Sequence, residues 1–310
     1  MQIKSKFLGK NSELVEHLKS LKSMPVEERK TVGSVLNQIK IKLEEAVEEK
    51  LKKLSCTELM KFDETIPVDE TIGSLHPITI ITKELTDILK MMGFTIVNGF
   101  EMETEYYNFE ALNIPGTHPA RDMQDTYWLS SGELLRTHTS PNQVRTMEKY
   151  GAPIRMAAPG RCFRNEDLNA SHENTFFQCD GMVIDKNISI SNLIYVMKEM
   201  LKEIFKSDVN VRLRPGYFPF VEPGFELDCS CLICGGSGCP TCGGNGWIEL
   251  CPCGMIHPNV LKMSGINPDE YNGFAFGLGL TRLAMLKYKI NDIRVLNSGD
   301  IRYLSQFSIE

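Results

Sequence analysis

The chain has 310 residues, 42% of them hydrophobic, and a formal net charge of −6; it can bury a full core with room for one large domain and an appendage, and is too acidic to coat nucleic acid with its whole surface. No apolar run approaches the ~18 residues needed to cross a bilayer, and Met1-Gln2-Ile3-Lys4 opens no apolar secretory signal, so a cytoplasmic protein with no membrane partner is expected. Seven of the ten cysteines fall between 229 and 253, the crowding of a metal site in a reducing compartment rather than of a disulfide framework.

Residues 1–55 carry 12 Lys plus Arg against 8 Glu, while the remainder is acidic, so a basic arm that can meet RNA sits on an acidic body. Within the arm Leu14, Leu18 and Leu21, then Leu36, Ile39, Leu43, Val47, Leu51 and Leu54, recur at helical spacing. Pro25 with Glu27 and Glu28 reads as the first turn of a second helix, giving an antiparallel helical hairpin. Residues 56–75, with Pro67 and Gly73, lose the period and read as a linker to a domain spanning 76–310. After His76-Pro77 the pattern Ile78, Ile81, Leu85, Ile88, Leu89 predicts a helix ended by Gly93, followed by a strand over 94–97. Strands are then predicted at 154–157, 175–179, 210–213 and 247–250, with a helix from Ser191 to Phe205. Short turns between strands argue for an α+β fold, an antiparallel sheet with helices packed on it, rather than a dinucleotide-binding fold.

Two arginine-centred segments carry the chemistry. Phe163-Arg164-Asn165-Glu166 lies in GRCFRNE, and Gly277-Leu278-Gly279-Leu280-Thr281-Arg282 lies in GFAFGLGLTRLAM. A guanidinium fork can hold two phosphate oxygens, and glycines let backbone approach a ligand closely. In this order and spacing the two segments resemble the second and third motifs of class II aminoacyl-tRNA synthetases. The resemblance extends through YYNFEALNIPGTHPARDMQDTYWL (106–129), LLRTHTSPNQVRTM (134–147), RPGYFPFVEPGFE (214–226) and CGMIHPNVL (253–261), stretches similar to the bacterial-type phenylalanyl-tRNA synthetase α-subunit family. That family implies a six-stranded class II antiparallel catalytic sheet, an α2β2 assembly with a β subunit, and the charging of tRNA(Phe) with L-phenylalanine at the expense of ATP.

By the same resemblance Arg164 contacts the α-phosphate of ATP, Glu166 accepts from the adenine amino group, His172 belongs to a loop closing over ATP, and Arg282 holds the far end of the triphosphate, with Gly277 in the ATP-binding segment. Glu222 matches the position that holds Mg2+. Phe218, Phe220 and Val221 match the aromatic wall of the amino-acid pocket, Ala275 its floor, and His138, Ser140, Gln143 and Gln178 the polar residues around the zwitterion. Asp180 stands where the family more often has glutamate, and Gly99-Phe100-Glu101 where it usually has Gly-Pro-Glu.

Cys231-x-x-Cys234-Gly-Gly-Ser-Gly and Cys239-x-x-Cys242-Gly-Gly-Asn-Gly repeat the form C-x-x-C-x-G-x-G, similar to the zinc knuckles of DnaJ-type chaperones. Two such turns complete a tetrahedral site of four thiolates, so the insertion over 229–253 is expected to hold structural zinc through Cys231, Cys234, Cys239 and Cys242. Cys229, Cys251 or Cys253 can substitute in this count, and an iron–sulfur cluster or a set of reduced thiols also satisfies it. Two other functions fit the blocks less fully: a ligase for another amino acid, and a non-catalytic RNA-binding or regulatory paralogue, which would have no need of both Arg164 and Arg282.

Overall fold

The structure, a computed structural model, describes residues 7–9, 12–55, 73–121, 125–232, 234–239 and 242–307, and the chain divides into two units, Met1–Glu70 and Thr71–Glu310. The linker expected at 56–75 falls, for 56–72 and Pro67 within it, outside the described residues. In the first unit α1 (Glu13–Ser20) turns through a short 3-10 segment into α2 (Val26–Ser55). Arg29 closes that turn by donating to the carbonyls of Lys22 at 3.1 Å and Met24 at 2.9 Å. Pro25 lies one residue outside the helix and its carbonyl accepts the first helical bond from Arg29, while Glu27 and Glu28 occupy the first turn where acidic groups are favoured.

The second unit opens with α3 (Pro77–Met91), started by His76, whose Nδ1 accepts from the Ile78 amide at 3.2 Å. Its buried stripe is Ile78, Ile81, Leu85, Ile88 and Leu89, as the spacing predicts, and Gly93 leaves the helix at φ +82°, a conformation that favours glycine. The sheet has seven strands in the order β1-β4-β5-β9-β8-β7-β6, built from β1 (Thr95–Ile96), β4 (Ile154–Phe163), β5 (Thr175–Asp185), β6 (Val211–Pro215), β7 (Val221–Ser230), β8 (Trp247–Ile256) and β9 (Asn272–Gly279). Six strands pair antiparallel, as expected, and the two-residue β1 adds a parallel edge through Thr95↔Met156 and Ile96↔Ala157. A separate antiparallel pair joins β2 (Met102–Glu103) to β3 (Leu134–Leu135).

The two faces of the sheet are packed differently. Ala157, Cys179, Val183, Phe274 and Phe276 pack with α3, α6 (Ile190–Phe205) and α8 (Leu280–Tyr288) in one apolar cluster. The alternate residues Met156, Ala158, Met182, Ile184 and Ala275 join a second cluster with Phe109, which follows α4 (Glu105–Asn108), Leu112, Ile114 and residues of α5 (Pro141–Tyr150) and α7 (Pro258–Met263). Strand alternation therefore sends Asp180, Ala275 and Gly277 to the second face. On that face these three residues line a cavity.

Candidate active site

One cavity of about 530 Å3 is lined by His138, Ser140, Gln143, Arg164, Gln178, Asp180, Phe218, Phe220, Val221, Ala275 and Gly277, together with Ile114, His118, Pro119, Tyr217, Pro219, Pro252, Cys253 and Phe276. Every residue expected around the amino acid is thus brought to one wall system, from segments scattered over 138–275. Phe218 and Phe220 stack at 5.9 Å between ring centroids with planes 27° apart, making one apolar side. Ala275 faces Met182 and Gly254 across its two neighbouring strands, so its single methyl group leaves depth that a larger side chain would fill.

Opposite the rings lies a polar cluster. Ser140 Oγ donates to Asp180 Oδ2 at 2.5 Å, the Asp180 amide donates to Thr139 Oγ1 at 3.1 Å, and Gln143 Nε2 donates to the Gly181 carbonyl at 3.2 Å. Burial lifts the Asp180 carboxyl to about 6, against the pull of its bonds to Ser140 and Thr139 and of the nearby guanidinium groups of Arg136 and Arg164. Burial and the cation of Arg164 push His138 down to about 3, so its imidazole stays neutral, and neither ring nitrogen has a partner among the described residues. A Cβ on Gly277 would come within 3.1 Å of Asp180 Oδ1; glycine here keeps the carboxylate open to the cavity. Gly277, expected with ATP, belongs to this wall.

A second cavity of about 720 Å3 is lined by Arg164, Glu166, His172, Glu173, Phe176, Gln178, Gly279, Thr281 and Arg282 among others. Arg164 and Gln178 line both cavities. Arg164 is steadied by donating from Nε to the Thr137 carbonyl at 3.2 Å, by the ring of Phe176 at 4.9 Å from its Cζ, and by Glu166 at 3.9 Å. The loop that carries His172 is folded by Asn169, whose Oδ1 accepts from the Ser171 and His172 amides at 2.8 and 2.9 Å. Thr281 Oγ1 accepts from the Phe177 amide at 2.9 Å, which pins the first turn of α8 to β5 and sets Arg282 at the cavity wall. Arg282 is exposed and, among the described residues, has no hydrogen-bond or ion-pair partner. Glu222 is exposed on β7 and lines neither cavity.

At the far end of the β7–β8 hairpin the thiols of Cys231, Cys234, Cys239 and Cys242 all lie within 4.8 Å of one another. Sulfur pairs stand at 3.7, 3.8 and 3.7 Å. A tetrahedron of sulfurs about 2.3 Å from a central zinc has edges of about 3.8 Å, so the cluster fits a four-thiolate metal site. Burial opposes ionisation of Cys242, yet amides of Cys239 and Gly246 aimed at its sulfur bring it to about 6, and Cys234 is lowered in the same way by Gly236 and Gly238. Burial instead raises Cys229 to about 11 and Cys253 to about 12, and also pushes Cys251 well above the usual thiol range; these three are neutral core thiols outside the cluster.

Several residues of the site carried no local signal. Arg136 is nearly buried, donates to the carbonyls of Arg161 at 2.7 Å and Phe100 at 3.1 Å, and lies where a Cβ on Gly160 would sit. Thr139 and Phe176 hold Asp180 and Arg164, and neither residue type in its own stretch points to that role.

The model of tRNA synthetases class II core domain (F) matches residues 61–307, and that of the aminoacyl tRNA synthetase class II N-terminal domain matches 1–61. Among curated relatives, the phenylalanine–tRNA ligase alpha subunit of Leptospira biflexa serovar Patoc is 52% identical over 98% of this chain and 92% of its own. Those of Lachnoclostridium phytofermentans and Bacillus subtilis are 49% and 44% identical, over 99% and 98% of this chain and 92% and 91% of theirs. A crystal structure of pyrrolysyl-tRNA synthetase from Desulfitobacterium hafniense superposes with a TM-score of 0.56 over 96% of each chain at 17% identity, a likeness of fold.

Proposed function

The chain belongs to the class II aminoacyl-tRNA synthetases, in the family of phenylalanine–tRNA ligase alpha subunits, and we propose that it activates L-phenylalanine with ATP and passes it to tRNA(Phe) through the two adjoining cavities. The observation that supports this most is the sharing of Arg164 and Gln178 by both walls. Activation needs the amino-acid carboxylate beside the α-phosphorus of ATP, so a benzyl-sized cavity and a cationic cavity must meet at a fixed cation.

In this reading the phenyl ring lies against Phe218 and Phe220 and reaches toward Ala275, and Asp180, Ser140 and Gln143 receive the ammonium end. The neutral His138 bonds the polar head without repelling it. Carboxylate oxygen attacks the α-phosphorus and pyrophosphate leaves; Arg164 neutralises the crowded phosphate, Arg282 the departing one, and Glu166 accepts from adenine. Fixed dipoles and cations cost no reorganisation as charge moves. Mg2+, when bound, would screen the phosphates; Glu173 is the carboxylate of that wall without another assigned role that would hold it, while Glu222, which matches the family's Mg2+ position, is exposed outside both cavities. Cys231, Cys234, Cys239 and Cys242 would hold zinc in a site closed to solvent ligands, where it would supply folding energy. The chain works in the cytoplasm as part of an α2β2 assembly; no described helix is long and apolar enough to cross a membrane.

The test is ATP–pyrophosphate exchange against a panel of amino acids, using the chain co-expressed with its genomic β partner. Phenylalanine-dependent exchange that Arg282→Ala abolishes at unchanged thermal stability is the expected result. Exchange driven by another amino acid, or unaltered by Arg282→Ala, overturns the reading.

A further inference from the structure

Two aromatic residues in the lining of the amino-acid cavity, His118 and Tyr217, are given no role by the reading above. Tyr217 is 75% exposed, and its ring lies 12° from the plane of His118 with centroids 6.4 Å apart, while His118 Nε2 stands 3.3 Å from the tyrosine hydroxyl. At this separation the near-parallel rings are offset rather than face to face, so together they form an extended aromatic plate, and Tyr217 leaves most of its surface to solvent.

The plate is held from behind. Asn113 Nδ2 donates to the Pro219 carbonyl at 2.7 Å, tying the two loops together independently of the rings. The His118 amide bonds the Pro115 carbonyl at 2.9 Å, and the Gly216 amide bonds the Gly224 carbonyl at 3.0 Å. A Cβ on Gly224 would lie 2.6 Å from the Gly216 carbonyl, so that close crossing needs glycine. Tyr217 and Phe218 are neighbours on the chain, which sets the plate at a fixed distance from the wall that holds the substrate ring.

The chemistry requires something at this rim. After activation the phosphate cavity holds the AMP half of the adenylate, so the acyl carbonyl, at the junction marked by Arg164 and Gln178, is approached from the amino-acid side. There a ribose hydroxyl of the last RNA nucleotide attacks the carbonyl carbon. The new ester bond forms as the acyl–phosphate bond breaks, AMP takes the bonding electrons, and the hydroxyl proton passes to its phosphate or to water. That nucleotide needs its base held, and a bare aromatic surface binds a base by its π-face. We propose that the His118–Tyr217 plate is the stacking platform for the terminal base of the tRNA acceptor end. The proposal rests on the aminoacylation reading above.

The experiment uses the co-expressed assembly and tRNA(Phe) ending in 2-aminopurine, whose fluorescence is quenched by stacking. Binding to the wild type is expected to quench it, and Tyr217→Ala to restore it. In steady state Tyr217→Ala is expected to raise KM for tRNA about tenfold or more, a clearly larger change than in KM for phenylalanine in exchange. Tyr217→Phe, which keeps the ring, retains the quench. Equal rises in both KM values would make Tyr217 part of the amino-acid wall and overturn the proposal, as would an undiminished quench in Tyr217→Ala. Absence of phenylalanine-dependent exchange in the wild type would instead count against the aminoacylation reading, so the two failures are distinguishable.

Discussion

The two ends of one hairpin invite comparison. Strands β7 and β8 run from the amino-acid cavity, at Val221, Pro252 and Cys253, to the cysteine cluster, at Ser230, Cys231 and Trp247. At the cluster end Gly238, Cys239 and Gly246 aim their amides at cysteine sulfurs, and the site closes on itself. At the cavity end His138 keeps both ring nitrogens without a partner among the described residues, and Arg282, in the adjoining cavity, has none there either. A buried polar group left unanswered costs stability, and His138 is tolerated where a ligand answers it, while the exposed Arg282 is answered by solvent until a phosphate replaces it. The difference separates a site that holds the fold from one that acts.

Breaking the active side should give the largest effect. Arg164→Ala removes the cation common to both cavities and is expected to lower exchange by about 10²–10³-fold, the usual cost of losing one fixed charge-stabilising group, with little change in thermal stability. Parallel exchange kinetics and thermal melts check it, and a melt that falls as far as the rate would contradict the division between the two ends. On the other side Cys239→Ser, or removal of metal by a strong chelator, is expected to lower the melting temperature, because metal binding there is folding free energy. Metal content on purification without chelator should be about one zinc per chain if four thiolates hold it.

Much of this contrast is legible along the chain, and the reason lies in how local the constraint is. The cysteine turns are local: two C-x-x-C-x-G-x-G units are eight residues apart in register, and the structure gathers those four thiols and leaves Cys229, Cys251 and Cys253 neutral. His76-Pro77 is also local, a cap and a first-turn proline that start α3. Strand β9 is harder to read, because Phe274, Ala275, Phe276 and Leu278 are buried on both faces and lose the alternation that marks a half-exposed strand. The parallel edge strand β1 is only two residues long. Least legible are pairs made by the fold alone. His118 meets Tyr217 across 99 residues, and Arg136 fills the space beside Gly160; no periodicity announces either.

A smaller change sharpens the comparison inside the cavity. Asp180→Asn keeps the shape and the bond from Ser140 but removes the charge set to receive an ammonium group. KM for phenylalanine is expected to rise by about tenfold, the worth of one hydrogen bond to a charged group, with KM for ATP nearly constant. A matching rise for ATP would remove Asp180 from the amino-acid end.

The smallest expected effect is a dependence on pH at the amino-acid end, read in KM for phenylalanine. Burial raises the Asp180 carboxyl to about 6 in the free protein. A carboxyl whose folded value is raised is favoured in its protonated form, so it binds a cation only above that value and loses the ability as pH falls through it. The substrate ammonium favours the ionised form, and binding must therefore release a proton from the fraction still protonated. KM for phenylalanine should rise by roughly fourfold between pH 7.5 and 5.5, following the ionised fraction, while KM for ATP stays flat. In Asp180→Asn the rise should vanish. His138 cannot imitate it, since burial and Arg164 hold that imidazole neutral down to about 3. A pH profile that persists in Asp180→Asn would assign the titration to another group and leave the carboxylate as a packing element.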